Sequence, residues 1–156
     1  MVRKMMSAVL TVILMTTVTA CGKTPPQESR LSQEVTQMSA ESQNAMGAMS
    51  PEEALEYMKE TKNLVIIDAA ATRWYGENHF EGAINIPIEE LDGEAEDALY
   101  MEIPADRPVL LHCRLGMIVP GAYDRVLELR PDIPEISYID GAPQFDEYNE
   151  WLENRQ

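Results

Sequence analysis

Cys113 carries the most reactive chemistry the chain offers. It closes the apolar run Val109-Leu110-Leu111-His112 and opens the short segment Arg114-Leu115-Gly116-Met117-Ile118-Val119-Pro120-Gly121. An amphipathic stretch from about Ala122 to Leu129 follows, so the pattern reads as strand, loop and helix. A thiol at that junction faces the loop amides and the positive end of the next helix dipole. Both favour thiolate over thiol, which makes an anion cradle around a nucleophile. The competing reading is a small buried hydrophobe at a strand end, the common fate of a lone cysteine. Spacing alone leaves the two open.

The other cysteine, Cys21, has a different setting. Residues 1–20 read as an export leader: Arg3 and Lys4 are basic, Met5 to Ala20 carries no charge, and Val18-Thr19-Ala20 puts a small residue before Cys21. The uncharged stretch is too short to be a comfortable membrane span. Its end resembles the lipobox of bacterial lipoproteins, which implies cleavage before Cys21 and a diacylglyceryl group on its sulfur. The alternative is an ordinary secretory leader cut near Ala20. On the lipoprotein reading the protein is expected in the cell envelope, lipid-anchored and facing the periplasm or exterior. Cys113 then has no disulfide partner within the chain. An odd thiol in an oxidising compartment is either reactive or buried.

Charge narrows the partners. The 156 residues hold 12 Lys and Arg against 27 Asp and Glu, a formal charge of −15. Loss of Arg3 and Lys4 with the leader takes this to about −17. Such a surface is a poor match for nucleic acid or anionic headgroups, so no nucleic acid partner is expected and membrane attachment falls to the lipid. The acids of residues 89–97 and 146–153 read as solvated faces. They bring no His or Cys at ligand spacing, so neither a metal nor a cofactor is expected.

The elements that must position Cys113 follow from periodicity. Residues 21–50, rich in Ser, Gln, Thr, Glu, Ala and Met, read as a lipid-anchored flexible tether. One domain is expected over residues 51–156. Ser50-Pro51-Glu52-Glu53 is a helix start, with Ser as N-cap, Pro in the first turn and Glu closing a capping box. Short strands are expected at Leu64–Ile67, Ala83–Ile86, Pro108–Leu111 and Ile136–Ile139. Helices are expected at Leu91–Tyr100, Ala122–Leu129 and Phe145–Leu152. Strands alternating with helices predict an α/β fold, a central and mostly parallel sheet covered on both faces. Asp68 and Cys113 then share the carboxyl edge, where such folds place their sites.

With these elements in place, three segments resemble the rhodanese family. Val65-Ile66-Ile67-Asp68 through His79-Phe80-Glu81-Gly82-Ala83-Ile84-Asn85-Ile86-Pro87 is similar to D-V-R-x-x-x-E-Y-x-x-G-H-I-x-G-A-I-N-I-P. His112-Cys113-Arg114-Leu115-Gly116 resembles the C-x-x-G loop, and Ile139-Asp140-Gly141-Ala142 with Trp151 is similar to the closing segment. The resemblance implies a rhodanese-like fold and a sulfurtransferase in which Cys113 carries sulfane sulfur as a persulfide. It implies a substrate loop of Arg114, Leu115, Gly116, Met117, Ile118 and Val119, whose amides surround the sulfur. The partners would be a sulfur donor, persulfide or thiosulfate, and a thiol acceptor, either of them carried on a small molecule or a protein. His79 would be structural, and His112 should point away from the thiol. Trp74, Tyr75 and Trp151 read as packing residues.

The departures from the pattern bear on activity. Ala70 stands where the family has arginine, and Met117, Ile118 and Val119 replace cationic or hydroxyl side chains. Rhodanese-fold phosphatases need H-C-x5-R, and the final position is Val119. Three readings remain: a sulfurtransferase, a catalytically weak or inactive protein-binding module, and a thiol-redox component with its resolving cysteine supplied in trans.

Overall fold

The computed structural model describes residues 44–155. The expected leader, Cys21 and the tether as far as residue 43 lie outside the described residues. Five strands form one sheet: β1 (Ala45–Met49), β2 (Val65–Asp68), β3 (Ile84–Asn85), β4 (Val109–His112) and β5 (Ile136–Ile139). Their order is β1-β5-β4-β2-β3, and every pairing is parallel. The helices are α1 (Pro51–Glu60), α2 (Thr72–Glu77), α3 (Gly93–Met101), α4 (Val119–Leu129) and α5 (Phe145–Glu153), with a 3-10 turn at Ile88–Glu90.

Side-chain alternation sorts the core into two layers. Val65, Ile67, Val109, Leu111 and Ile136 point to one face, where Tyr100 of α3 and Ala122, Tyr123 and Val126 of α4 cover them. Ile66, Leu110 and Ile139 point to the other, beneath Ala54, Leu55 and Met58 of α1 and Tyr148 of α5. Burial on both faces explains why β2 and β4 read as continuous apolar runs. Each fully buried aliphatic side chain contributes about 1.5–3 kcal/mol, so the central strands are the rigid frame. The capping box at α1 forms as expected: the Ser50 N–H donates to Glu53 Oε2 at 2.9 Å and the Glu53 N–H to Ser50 Oγ at 3.3 Å.

One boundary moves. The last residues of the expected tether are strand β1, which extends the sheet beside β5. Ala-Met-Gly-Ala-Met has no β-branched residue, and Gly47 sits at φ 78° within it. The open ladder of β5 supplies what composition does not: the Ile136 N–H donates to Asn44 O and the Asp140 N–H to Met49 O. The Asn44 side-chain amide donates to Ile133 O, and the Tyr123 hydroxyl receives the Gly47 N–H.

Candidate active site

Strand β4 delivers Cys113 to the carboxyl edge of the sheet, 3% exposed and packed in the layer under α3 and α4. His112 points to the opposite face, where its ring meets Phe80 and Phe145 edge-on at 4.9 and 5.6 Å between centroids. That is the alternation expected from sequence, and it takes His112 away from the thiol.

The loop after Cys113 is held by a backbone contact that tolerates no side chain. Gly116 lies at φ 78°, and a Cβ built there would stand 2.3 Å from Gly141 N. Gly141, at φ 141°, is as confined, for its own Cβ would meet Pro51 Cγ at 2.9 Å. The second and third glycine-bearing segments of the sequence pattern are therefore a single junction, closed over the first turn of α1.

Cys113 borders a cavity of about 160 Å³ whose walls include Ala70, Trp74, Glu89, Arg114, Leu115 and Met117, with Ile118 beside them. Four of the expected substrate residues, Arg114, Leu115, Met117 and Ile118, are brought together there. Gly116 is buried in the loop junction. Val119 opens α4 and is fully buried, so its side chain is a core residue and its amide, the group the expectation names, is what it can offer the loop. Leu115 is 55% and Met117 80% exposed, giving the cavity an apolar rim. The Arg114 guanidinium lies 3.9 Å from the Trp74 ring centroid and that of Arg73 lies 4.1 Å from it, both cation–π contacts. The carboxylate–guanidinium pairs among the described residues lie elsewhere, at Arg125 with Asp97 and Glu128, and at Arg130 with Asp132.

A second, smaller cavity of about 70 Å³ shares Ala70, Trp74 and Arg114 with the first and adds Asp68, Glu77 and Asn78. Asp68 is 1% exposed and accepts the Ala70 N–H at Oδ1, 2.9 Å. Burial pushes its carboxyl up to about 6, against the lowering effects of that amide and of His79. His112 Nδ1 is 3.9 Å from the same oxygen, beyond hydrogen-bond reach, and burial drives the imidazole down to about 3, so it is neutral. Asn85 holds this corner in shape, its amide donating to Asp68 O at 2.9 Å and Ala70 O at 2.8 Å.

Periodicity misses two wall residues. Trp74, read as packing, lines both cavities from α2, a six-residue helix with no side-chain cap to announce it. Glu89 comes from the 3-10 turn. Tyr75, Trp151 and His79 do pack: the Tyr75 hydroxyl donates to Ala83 O at 2.7 Å, His79 Nδ1 lies 2.8 Å from Tyr75 O, and Trp151 lies against Tyr148.

The profile of the family described as Rhodanese-like domain matches residues 50–150. The chain belongs to the rhodanese-like family. Solved structures similar to it include a rhodanese-related protein from Thermoplasma volcanium, 19% identical over 69% of this chain and 91% of that one, with a TM-score of 0.49. A Helicobacter pylori protein, hp1203, is 23% identical over 67% and 83% of the two chains, with a TM-score of 0.48. A Staphylococcus saprophyticus protein, SSP1007, is 14% identical over 66% and 93%, with a TM-score of 0.49. No curated protein matches the chain in sequence.

Proposed function

We propose that this rhodanese-like chain is a sulfurtransferase held to a membrane through a lipid on Cys21, with Cys113 as persulfide carrier. The observation that carries the reading is the thiol at the wall of a cavity, at the head of a glycine-closed loop running into α4. The Cys113 thiolate attacks the outer sulfur of a donor. A new sulfur–sulfur bond forms, the donor's own bond breaks, and the donor leaves with the electron pair as a thiolate or sulfite. An acceptor thiolate then takes the outer sulfur and Cys113 leaves as thiolate. No oxidant is needed, and the loop amides disperse the persulfide charge.

Met117 and Ile118 offer no charge to a dianion, and each missing charge-assisted hydrogen bond costs about 1.5–3 kcal/mol, roughly one to two decades in rate. Thiosulfate should therefore be a poor donor and a low-molecular-weight persulfide a better one. The test is the mass of the full-length Cys21→Ala chain before and after each donor. A gain of one sulfur, reversed by cyanide and missing in Cys113→Ser, is expected from the persulfide. Efficient turnover of thiosulfate would overturn the charge argument.

A second reading, a binding module without turnover, is favoured by the exposed Leu115 and Met117 beside the thiol. No Cys113-dependent transfer from either donor would leave that reading in possession of the loop.

A further inference from the structure

Asp68 ends β2 as the register partner of His112 on β4, so its carboxylate lies on the His112 face of the sheet, at the same carboxyl edge to which β4 delivers Cys113. Among the described residues it accepts one hydrogen bond, from the Ala70 N–H to Oδ1. Oδ2 has no donor, yet the sealed polar side-chain atoms without a partner are the two nitrogens of His112. The second carboxylate oxygen is therefore open to the cavity that Asp68 lines. Oδ2 is thus the atom of this otherwise buried carboxylate that can accept from a ligand's donor, and burial of the rest of the group strengthens its attraction for a cation.

The surroundings favour a cation. Glu77 adds a second carboxylate to the same wall, and Glu89 stands in the wall of the Cys113 cavity. Ala70, Trp74 and Arg114 line both cavities, so the two share a wall, and Ala70 contributes only a methyl group to it. Among the described residues Arg114 is the one cation lining either cavity; its guanidinium is held on the Trp74 ring, and in the smaller cavity the carboxylates of Asp68 and Glu77 outnumber it.

We infer that the Asp68 cavity is a subsite for a primary ammonium carried by the sulfur-bearing substrate, so that aminothiol persulfides are the class presented to Cys113. The ammonium donates to Asp68 Oδ2 while the sulfur lies in the larger cavity. This deepens the sulfur-transfer reading and rests on it for the substrate's sulfur, but the charge preference of the subsite shows without turnover.

The experiment measures modification of Cys113 by three methanethiosulfonates that differ only in their tails: aminoethyl (cationic), ethyl (neutral) and sulfonatoethyl (anionic). In each, the thiolate attacks the sulfenyl sulfur, a disulfide forms, and methanesulfinate leaves with the electron pair. Rates are followed by mass on the full-length Cys21→Ala chain and divided by those for free 2-mercaptoethanol. The aminoethyl reagent should be favoured over the sulfonatoethyl one by about tenfold or more, the scale of one poorly screened carboxylate. Asp68→Asn should erase most of that ratio, while Glu94→Gln, an exposed acid on α3, should leave it in place. Ala70→Arg should reverse it, and it decides the matter if Asp68→Asn fails to fold.

A ratio unmoved by either change at position 68 or 70, equal slowing of all three reagents, or a thiol that none of them reaches would overturn the inference. A charge-selective thiol that nonetheless transfers no sulfur would keep the subsite and remove the transfer reading. Transfer without charge selectivity would do the opposite.

Discussion

At the scale of single residues, Asp68 and His112 are buried neighbours whose protons oppose each other. Folded Asp68 binds its proton below about 6, whereas the unfolded chain binds it below about 4. Between those values the folded state holds more protons, so this group adds stability as pH falls. His112 runs the other way. It stays neutral in the fold down to about 3 but takes a proton near 6.5 when unfolded, so stability falls as pH drops below that. Over about pH 4–6 the two offset each other. In Asp68→Asn the histidine acts unopposed, and the variant should lose up to about 1.4 kcal/mol per pH unit more than wild type across that window. Urea midpoints at pH 6, 5 and 4 measure it, and parallel curves for the two proteins would reject the pairing. Cys113 and Gly116 are legible in sequence because their setting is local, a strand end and a tight loop. The Asp68 cavity is not, because its walls come from β2, α2, the Cys113 loop and α5, whose meeting no local pattern records.

At the scale of elements, the Cys113 loop depends on two backbones passing without side chains. Gly116→Ala places a methyl group 2.3 Å from Gly141 N and forces an L-residue to φ 78°. We expect it to lower stability by about 2–3 kcal/mol and to abolish Cys113-dependent sulfur uptake, because the loop must lift to admit the methyl. Equilibrium unfolding and the mass assay together check this; unchanged uptake in a folded variant would show that the loop's shape does not matter. Strand β1 gives the complementary case. A chain begun at Pro51 lacks β1, exposes the ladder of β5 and loses the Ser50 cap of α1, whereas one begun at Asn44 keeps all three. The shorter chain should unfold at clearly lower urea and self-associate, since an uncovered strand edge recruits other chains. Equal midpoints would make β1 an ornament. Strands β2 to β5 and four helices are legible from period and caps, while β1 and α2 exist because neighbours complete them. Local composition carries no trace of that.

At the scale of the whole molecule, attachment and catalysis are separable. Among the described residues no helix is long and apolar enough to cross a membrane. In the function proposed above the anchor is a lipid on Cys21, so Cys21→Ala should appear in the soluble fraction, or as unprocessed precursor, with the domain still folded. Fractionation with a protease-resistance check measures this. A processed variant that stayed with the membrane would remove the lipid from the account. Acidity belongs to this scale too. Asp92 caps α3 and Asp97 meets Arg125, so part of the negative charge is structural.

Parallel pairing has a further outcome. Because β1 runs the same way as β4, Ala45 lies at the edge where β5 starts, and Cys113 lies at the edge where β4 ends. The polypeptide therefore joins the domain from behind, one strand length from the thiol. A flexible leash fastened there would leave the domain free to turn, with its own attachment clear of the reactive mouth. On the proposed lipid attachment, a soluble carrier could then reach the thiol without first passing the leash.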